Sequence, residues 1–356
     1  MSSQPQILIF GAGAVGAFYG ALLARSSPRS PPSSSPQPLV SVVCRSNFPA
    51  VSRSGFHITS PSHGTFTWRP AHVFPSPAEA RKSGIHWDYV VIATKALPDQ
   101  GDDSGLIEGL VGRGTGVVLV QNGLGVEGGY WRRFVQGRGE GKGVEGVEVL
   151  SGVTVVSAEQ PENGVIRHNR WTRINVGPYA PDGEGGEGGD GKAEEFCGLL
   201  REGGVRDAEA YSARKLQLLR WHKIAINAAM NPSSVLSGGT PNGAMATDEE
   251  MGRHLLGVMR EVLETAPKVC GEALPGEFAS AEKILESTRK NTSGSRPSMW
   301  ADWEGGKRME LEVIMGAPIR MAREKGLEMR RLESMYALLK MAQKNRDERA
   351  RGAAKL

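Results

Sequence analysis

The sequence predicts an α/β domain built on a parallel sheet, followed by an all-helical C-terminal domain. Two observations support this fold class. Short runs of β-branched and apolar residues alternate with loop or helical segments in the first half, whereas from about Ala208 apolar residues recur with the period of an α-helix. The chain has 356 residues, enough for two domains of ordinary size. We therefore predict one domain at residues 1–207 and a second at residues 208–356.

Brief apolar runs in the first half predict strands that are buried on both faces of a parallel sheet: Ile7–Phe10, Leu39–Val43, Tyr89–Ala93 and Val117–Val120. Later runs, with turn residues such as Glu162-Asn163-Gly164 between them, predict antiparallel additions to the sheet: Val153–Val156, Val165–His168 and Arg173–Val176.

Helical periodicity in the second half predicts the following segments: Lys215–Asn231, Asp248–Cys270, Ala279–Asn291 and Trp303–Lys340. Pro232 is expected to end or bend the first segment, which leaves Asn231 near its terminus. Pro241-Asn242-Gly243 is predicted to form a turn that presents Asn242.

Low-complexity stretches at residues 26–38, 137–146 and 181–192 are predicted to be insertions, because their Pro/Ser-rich or Gly-rich charged sequence cannot bury apolar surface.

The net charge is only +4 and no long basic stripe occurs, so no nucleic-acid partner is expected. Three cysteines cannot form a disulfide framework in a chain of this size, and no Cys/His cluster has metal-ligand spacing, so we expect no metal. The uncharged run Ile7–Ala24 is long enough to span a membrane, but its glycines fit a soluble motif better, so no membrane partner is expected.

That motif follows the first predicted strand. Gly11-Ala12-Gly13-Ala14-Val15-Gly16 has the G-x-G-x-x-G pattern between a strand and a helix-compatible stretch, which predicts a Rossmann-type dinucleotide-binding domain. Gly11 permits the tight turn, Gly13 lets a pyrophosphate approach the backbone, and Gly16 lets helix and strand pack closely. The alternative is a glycine-rich turn without a ligand.

The end of the second predicted strand indicates which cofactor binds. Val42-Val43-Cys44-Arg45-Ser46 lacks the carboxylate that binds the ribose 2′-OH of NAD, and the Arg45 guanidinium favours the 2′-phosphate of NADPH. We therefore predict NADPH, the alternative being that Arg45 is a solvated surface charge. Thr94-Lys95-Ala96 and Gln121-Asn122-Gly123 follow two other strands, where ligands of open α/β sheets bind, although each could be a simple turn.

Polar residues on apolar faces indicate the chemistry of the second half. Lys223, Asn227 and Asn231 are spaced four residues apart, which places them on one face of an otherwise apolar helix. Such groups are costly to bury without partners, so a site is favoured over a thin solvated edge. Glu310 lies on an apolar face and is either functional or a satisfied core carboxylate. Glu312 is expected to form a surface ion pair with Arg308.

Taken in order, these motifs resemble the ketopantoate reductase family (2-dehydropantoate 2-reductase). The resemblance covers nearly the whole chain outside the insertions, and the ordered set is far more specific than any single motif. Its members are the glycine motif at 11–16; Arg45; Thr94-Lys95-Ala96; Gln121-Asn122-Gly123; Ser151-Gly152-Val153-Thr154 with Ala158; Lys223, Asn227 and Asn231-Pro232; Pro241-Asn242-Gly243; Ser298-Met299 with Asp302; and Glu310.

The resemblance implies an NADPH-dependent reduction of ketopantoate to pantoate in pantothenate biosynthesis, with Lys223 as the general acid. It implies that Glu310 lies beside the nicotinamide ribose and helps to align the site. The residues implied to bind substrate are Asn227, Asn231, Asn242 and Ser298, and those implied to contact NADP are Lys95, Asn122 and Ala158. The partner is then a small 2-oxo acid, and a homodimer is left open.

Some residues depart from the family pattern. Leu311-Glu312 and Met315-Gly316 stand where the family usually has Ile-Asp and Asn-Gly. The spacing from Asn231 to Asn242 is one residue longer than in the family pattern. A paralogue that reduces another small 2-oxo acid is therefore an alternative. A non-catalytic NADPH-binding regulatory protein is an alternative from another class, although the presence of both the lysine and the glutamate disfavours it. A 3-hydroxy acid dehydrogenase fits the polar set poorly.

The chain ends in Ala354-Lys355-Leu356, which resembles the small–basic–Leu tripeptide of peroxisomal import. The polar tail Lys344–Leu356 is predicted to be free in solvent, as such a signal requires. A cytoplasmic enzyme with a chance tripeptide is the competing hypothesis.

Overall fold

The computed structural model describes residues 4–25, 36–137, 143–181, 191–292 and 294–353. The chain divides into two compact units. The first comprises Met1–Lys95, Asp102–Gln121 and Val126–Leu216, and the second comprises Ala96–Gly101, Asn122–Gly125 and Gln217–Leu356. The predicted fold class, an α/β Rossmann-type domain followed by a helical domain, is confirmed. The predicted domain boundary at 207/208 stays a prediction.

The first unit is built on one mixed sheet. Its strands are β1 (Gln6–Phe10), β2 (Leu39–Val43), β3 (Phe56–Ser60), β4 (Gly64–Trp68), β5 (Val73–Phe74), β6 (Tyr89–Ile92), β7 (Gly116–Leu119), β8 (Glu148–Glu162), β9 (Val165–Pro178) and β10 (Ala208–Ala210). They lie in the order β4-β3-β9-β8-β7-β6-β1-β2-β5, with β10 paired to β9. Strands β5, β2, β1, β6, β7 and β8 are parallel, and β9 is antiparallel to β8.

Helices cover this sheet: α1 (Ala14–Leu23), α2 (Phe48–Ser54), α3 (Pro77–Lys82), α4 (Gly128–Trp131) and α5 (Lys192–Glu202). Side chains alternate along each strand, so β1 contributes Ile7 and Ile9 to one apolar cluster and Leu8 and Phe10 to another. The sheet is therefore buried on both faces, which explains why its central strands are continuous apolar runs.

The four predicted parallel strands are confirmed to within a residue or so at each end. The three later predicted strands are wrong in number, because Val153–Val156 is part of the long β8, and the other two runs belong to the single strand β9. Register shifts near Ser157 interrupt the apolar alternation of this hairpin, so the sequence suggests shorter strands. Strands β3 and β4 were not predicted, since half of each is exposed and polar.

The helices that follow are α6 (Ala213–Leu236), α7 (Asn242–Thr247), α8 (Glu249–Cys270), α9 (Ala281–Arg289), α10 (Ser298–Glu304), α11 (Ala317–Glu324) and α12 (Arg330–Ala353). A π-helical turn, Glu312–Gly316, precedes α11. The predicted single segment Trp303–Lys340 is wrong, because the chain leaves the helix at Gly305 and again at Lys325. Glycines at 305, 306 and 326 favour these breaks.

Pro232 was predicted to end or bend α6, and the first alternative is wrong, since the helix continues to Leu236. A proline inside a helix costs roughly 3 kcal/mol. Residues 231–235 are all buried, so packing offsets this cost. Asn231 therefore lies inside the helix, and Asn242 opens the short helix α7 rather than a turn.

The predicted ion pair between Glu312 and Arg308 is also wrong. Arg308 pairs with Asp99 and Asp347, both at 2.8 Å. Glu312 instead accepts hydrogen bonds from Arg320 and Tyr336, at 2.8 and 2.5 Å. The reason is that the chain around residue 308 is not helical, so the two side chains do not share a helix face.

Residues 344–353 continue α12, and the predicted free tail is wrong at Arg346 and Asp347, which are partly buried and contact the rest of the unit, whereas residues 348–351 are exposed. Arg346 in this segment donates hydrogen bonds to the carbonyls of Trp303 and Lys307. The terminal tripeptide Ala354-Lys355-Leu356 lies outside the described residues, as do residues 26–35, 138–142 and 182–190 of the three predicted insertions. Within the described ranges, no helix combines the length and the apolar character needed to cross a membrane.

Candidate active site

The predicted glycine motif joins β1 to α1 in the first unit. Gly11 has a positive φ of 99°, and a Cβ there would come within 2.7 Å of the Thr94 side chain. A Cβ on Gly16 would collide with the Gly11 carbonyl. Both positions therefore require glycine, one for its backbone conformation and both for close packing.

Gly13 differs from Gly11 and Gly16, because among the described residues no atom beyond its adjoining backbone lies within 4 Å of the place where its Cβ would be. Gly13 caps α1, whose first turn (Ala14, Val15, Gly16) has backbone N–H groups without partners inside the helix. The open space beside Gly13 and the positive end of the helix together suit an anion. The loop Gly11–Gly16, with Ala12 at its centre, therefore fits the pyrophosphate of a dinucleotide.

Three other predicted cofactor residues belong to the same unit. Arg45 and Lys95 are exposed and follow β2 and β6, at the carboxyl ends of these strands. Ala158 lies in β8 beside the register shift. Both cations are thus accessible to a ligand at the edge where open α/β sheets bind nucleotides.

Asn47, which was not predicted, supports the glycine motif. Its side chain is 3% exposed. Its amide nitrogen donates to the carbonyl of Ala12 at 2.7 Å, and its oxygen accepts from the Gln160 amide at 2.7 Å and from the Gly164 backbone N–H at 3.1 Å. The glycine loop is therefore tied to the β8–β9 hairpin. Only its place two residues after Arg45 could have drawn attention to Asn47 in the sequence.

In the second unit, three predicted residues form a connected set. Lys223 donates from Nζ to Oδ1 of Asn122 at 3.0 Å. Asn122 donates from Nδ2 to Oε2 of Glu310 at 3.4 Å, and the other Glu310 oxygen accepts from the backbone N–H of Ala96 at 3.1 Å. The Asn122 amide thus bridges a cation and a carboxylate, and its orientation is fixed by both.

The bridge depends on a tight turn after Asn122. Gly123 has a φ of 98°, and a Cβ there would collide with Val313. The N–H of Leu124 donates to the Val313 carbonyl at 2.9 Å. The turn therefore packs directly on the segment that follows Glu310, which holds Asn122 beside the carboxylate.

Glu310 is 7% exposed, so its oxygens contact protein groups more than solvent. It does not lie on a helix face, as the apolar pattern predicted, but directly before a helical stretch, where its carbonyl accepts from the N–H of Ile314 at 3.2 Å. The buried carboxylate is satisfied by the Asn122 amide and the Ala96 N–H, as a buried charge requires.

Lys223 is half-buried in α6, and this burial is the main cause that lowers the pKa of its ammonium to about 8. The neighbouring guanidinium of Arg220 lowers the pKa further, while Glu310 acts in the opposite direction. An ammonium with a pKa near the working pH is well suited to give up a proton.

The other predicted substrate residues lie in the same unit. Asn227 and Asn231 follow Lys223 at successive turns of α6; Asn227 is half-buried and Asn231 is 6% exposed. Asn242 opens α7, and its N–H donates to the Ser295 carbonyl at 3.1 Å. Its buried Oδ1 accepts no hydrogen bond from the described residues. Ser298 opens α10 and is exposed.

No group of three or more His, Cys, Asp or Glu within the described ranges could hold a metal ion. A dinucleotide loop in one unit and a lysine–amide–carboxylate set in the other define a Rossmann-type oxidoreductase. Comparison with known proteins specifies the family.

Two family models match the chain: ketopantoate reductase PanE/ApbA over residues 7–181, and its C-terminal model over residues 215–343. The chain belongs to the ketopantoate reductase family. It is 31% identical to the solved 2-dehydropantoate 2-reductase of Methylococcus capsulatus, with 96% of this chain and 97% of that chain covered and a TM-score of 0.77.

Two curated relatives are similar over nearly their full length. An uncharacterized protein of Saccharomyces cerevisiae is 28% identical, over 97% of this chain and 95% of that protein. The 2-dehydropantoate 2-reductase of Nostoc sp. is 25% identical, over 95% of each. The match is thus to whole proteins rather than to one domain.

Proposed function

We propose that this protein catalyses the NADPH-dependent reduction of ketopantoate to pantoate, with Lys223 as the general acid. The observation that carries the proposal is the Asn122 amide that links Lys223 to Glu310, in a chain of the ketopantoate reductase family. A cation, an amide and a carboxylate in this arrangement can hold a proton and deliver it to a developing oxyanion.

In this proposal residues 1–207 form the NADP-binding domain and residues 208–356 the substrate-binding domain. The glycine loop would hold the pyrophosphate, Arg45 the 2′-phosphate, and Lys95, Asn122 and Ala158 further parts of the cofactor. When bound, NADPH supplies the hydride. The exposure of Arg45 and Lys95 and the open space beside Gly13 support this assignment.

Lys223 would direct its ammonium at the 2-oxo group. Negative charge grows on that oxygen when the carbonyl carbon is reduced, and the ammonium both stabilises the charge and donates the proton. Glu310 would hold the Asn122 amide in place and keep enough negative charge near Lys223 for the ammonium form to persist. The first role is supported by hydrogen bonds that form without substrate, and the second by the opposing effect of Glu310 on the pKa of Lys223.

Neutral amides and a hydroxyl would hold the rest of the substrate. Asn227 and Asn231 lie along one face of α6 with Lys223, so they can bind the carboxylate and hydroxyl of a small acid without a competing charge. The buried Oδ1 of Asn242 can accept a hydrogen bond from a substrate hydroxyl, and the exposed Ser298 can donate one.

A paralogous reductase that acts on another small 2-oxo acid is the second candidate. Glu312 stands where the family usually has aspartate, and it is engaged by Arg320 and Tyr336. This difference leaves the Lys223–Asn122–Glu310 set in place, so a paralogue would differ in its substrate rather than in its hydride chemistry. A non-catalytic NADPH-binding role is disfavoured because the Lys223–Asn122–Glu310 set is complete.

The deciding experiment measures NADPH oxidation by the purified protein against a series of 2-oxo acids that includes ketopantoate. The highest kcat/KM is expected for ketopantoate. Lys223→Ala should abolish most of the activity, while Lys290→Ala, at an exposed lysine paired with Glu286, should leave it unchanged. Preference for another 2-oxo acid would favour the paralogue, and no oxidation with any acid would favour the binding protein.

Assembly and cellular location remain predictions. A homodimer is tested by light scattering on the purified chain. A cytoplasmic location, with peroxisomal import through Ala354-Lys355-Leu356 as the alternative, is tested by a fluorescent fusion that keeps the native terminus and by its counterpart lacking Leu356.

A further inference from the structure

Arg220 is a buried cation that the family motifs do not include. It lies on α6 one turn before Lys223 and is 3% exposed. Its Nη1 donates to the carbonyl of Gly123 at 2.8 Å. Gly123 directly follows Asn122, so Arg220 and Lys223 contact adjacent residues of the same turn.

A second positive charge this close to the lysine is energetically unfavourable. Side chains three residues apart on a helix are neighbours, and like charges there repel. Burial strengthens that repulsion because the local dielectric is low. An apolar residue would fill a buried helix position at lower cost, so the guanidinium at position 220 calls for an explanation.

We propose that Arg220 is a positioning residue for the reaction: its guanidinium holds the Asn122–Gly123 turn against α6, and its charge favours release of the proton from Lys223. The inference rests on the proposed function, since it assigns Lys223 the role of proton donor. Within the described residues, the charged groups that act on Lys223 are Arg220, on its own helix, and Glu310, from the segment before the π-helical turn. They act in opposite directions, and the Asn122 amide lies between Lys223 and Glu310.

The lowered pKa of Lys223 is consistent with this arrangement, since Arg220 is its second cause after burial. With a neutral side chain at position 220, burial would still lower the pKa of Lys223 and Glu310 would still raise it, but the lowering by Arg220 would be absent. The ammonium would then hold its proton more tightly, and the Asn122 turn would lose one of its anchors.

The test titrates Lys223 directly in the full-length protein. A small acylating reagent is allowed to compete for amines over a range of pH, and mass spectrometry measures the labelled fraction of the Lys223 peptide. The variants are Arg220→Gln, Arg220→Met and the charge-retaining Arg220→Lys, with Arg320→Gln as the control. Arg320 is an exposed arginine of the same unit, paired with Glu312.

The neutral variants should raise the titration midpoint of Lys223 by ~1 pH unit, the smaller end of the shift that a nearby charge produces. Arg220→Lys and Arg320→Gln should leave it near the wild-type value. An unchanged midpoint in a folded neutral variant overturns the inference. If neither neutral variant folds, Arg220→His takes their place, because an imidazole is largely neutral at the alkaline pH where Lys223 titrates. A raised Lys223 midpoint in that variant supports the inference, and an unchanged one overturns it.

Because labelling does not require turnover, this result is separate from the proposed function. If no 2-oxo acid is reduced, the reductase proposal fails, while the titration still measures the effect of Arg220. If ketopantoate is reduced, the alkaline limb of the kcat profile should move with the Lys223 midpoint in each variant. A limb that stays fixed while the midpoint moves overturns the catalytic part of the inference.

Discussion

Asn47 donates a hydrogen bond of 2.7 Å to the backbone carbonyl of Ala12, at the centre of the glycine motif. The same side chain accepts from Gln160 and from the N–H of Gly164. All its bonds are formed within the protein, and Asn47 is almost completely buried. The shape of the loop predicted to bind pyrophosphate therefore depends on a side chain outside the motif itself.

Replacing this side chain should weaken NADPH binding. Asn47→Ala removes the bond to Ala12 and leaves a buried carbonyl without its partner, a loss of ~1–3 kcal/mol. We expect the Kd for NADPH to rise by roughly tenfold or more, measured by fluorescence titration. Gln160→Ala is the matched control, because it removes the neighbouring amide but keeps the Asn47–Ala12 bond. Equal Kd values for Asn47→Ala and wild type would contradict the role given to Asn47.

Arg45 should decide between the two nicotinamide cofactors. It is exposed, so its guanidinium can reach a 2′-phosphate, and loss of a hydrogen bond to a charged group costs ~1.5–3 kcal/mol. Arg45→Asp should therefore weaken NADPH binding strongly and relatively favour NADH, as measured by kcat/KM with each cofactor. Arg53→Asp, at an exposed arginine in the last turn of α2, controls for the general change of charge. Equal use of NADPH and NADH by the wild-type protein would rule out this assignment.

Lys223 should act on the chemical step rather than on cofactor binding. Lys223→Ala should lower kcat by at least ~10², the scale of general acid catalysis, while the Kd for NADPH stays nearly unchanged. Steady-state kinetics and a separate NADPH titration measure the two effects. A variant with near-normal turnover would remove Lys223 from the mechanism.

The amides should act mainly through substrate affinity. Asn231→Ala is expected to raise the KM for the 2-oxo acid more than it lowers kcat, because a neutral hydrogen bond to substrate persists in the transition state. Asn242→Asp places a negative charge next to an anionic substrate and should raise KM further. Initial-rate measurements separate the two constants, and a pure kcat effect in both variants would argue against a binding role.

Local sequence patterns were sufficient to predict those parts of the fold that depend only on residues close together in the chain. The glycine motif and the apolar strands β1 and β6 carry their own signal, because turn geometry and double-sided burial each restrict residue type. Pro232 does not end α6, because the packing of the buried residues 231–235 outweighs a local helix breaker. The long hairpin of β8 and β9 was predicted as three short strands, because its register shifts interrupt the alternation of apolar and polar residues.

The candidate site was predictable in its members but not in its connections. Lys223, Asn122 and Glu310 could each be found from sequence patterns. The amide bridge, however, joins Asn122 to Lys223, 101 positions away in the chain, and to Glu310, 188 positions away. The N–H of Ala96 has no signal in the sequence, since any residue supplies one. Arg220 was not predicted, and only its burial and its hydrogen bond to Gly123 distinguish it from other cations of α6.

The rate of reduction should fall as the pH rises above about 8, because burial and the Arg220 guanidinium lower the pKa of Lys223 to about 8. The acid form of the lysine is the one required: below this pH it holds its proton and kcat is level, and above it kcat should fall by ~tenfold per pH unit. Glu310 raises the pKa of Lys223, so Glu310→Gln should move the decline of kcat to lower pH, whatever its effect on the maximum rate. The measurement is kcat at saturating substrate and NADPH across the alkaline range. A level profile up to the ordinary lysine pKa of ~10.4 would show that Lys223 is not the titrating acid.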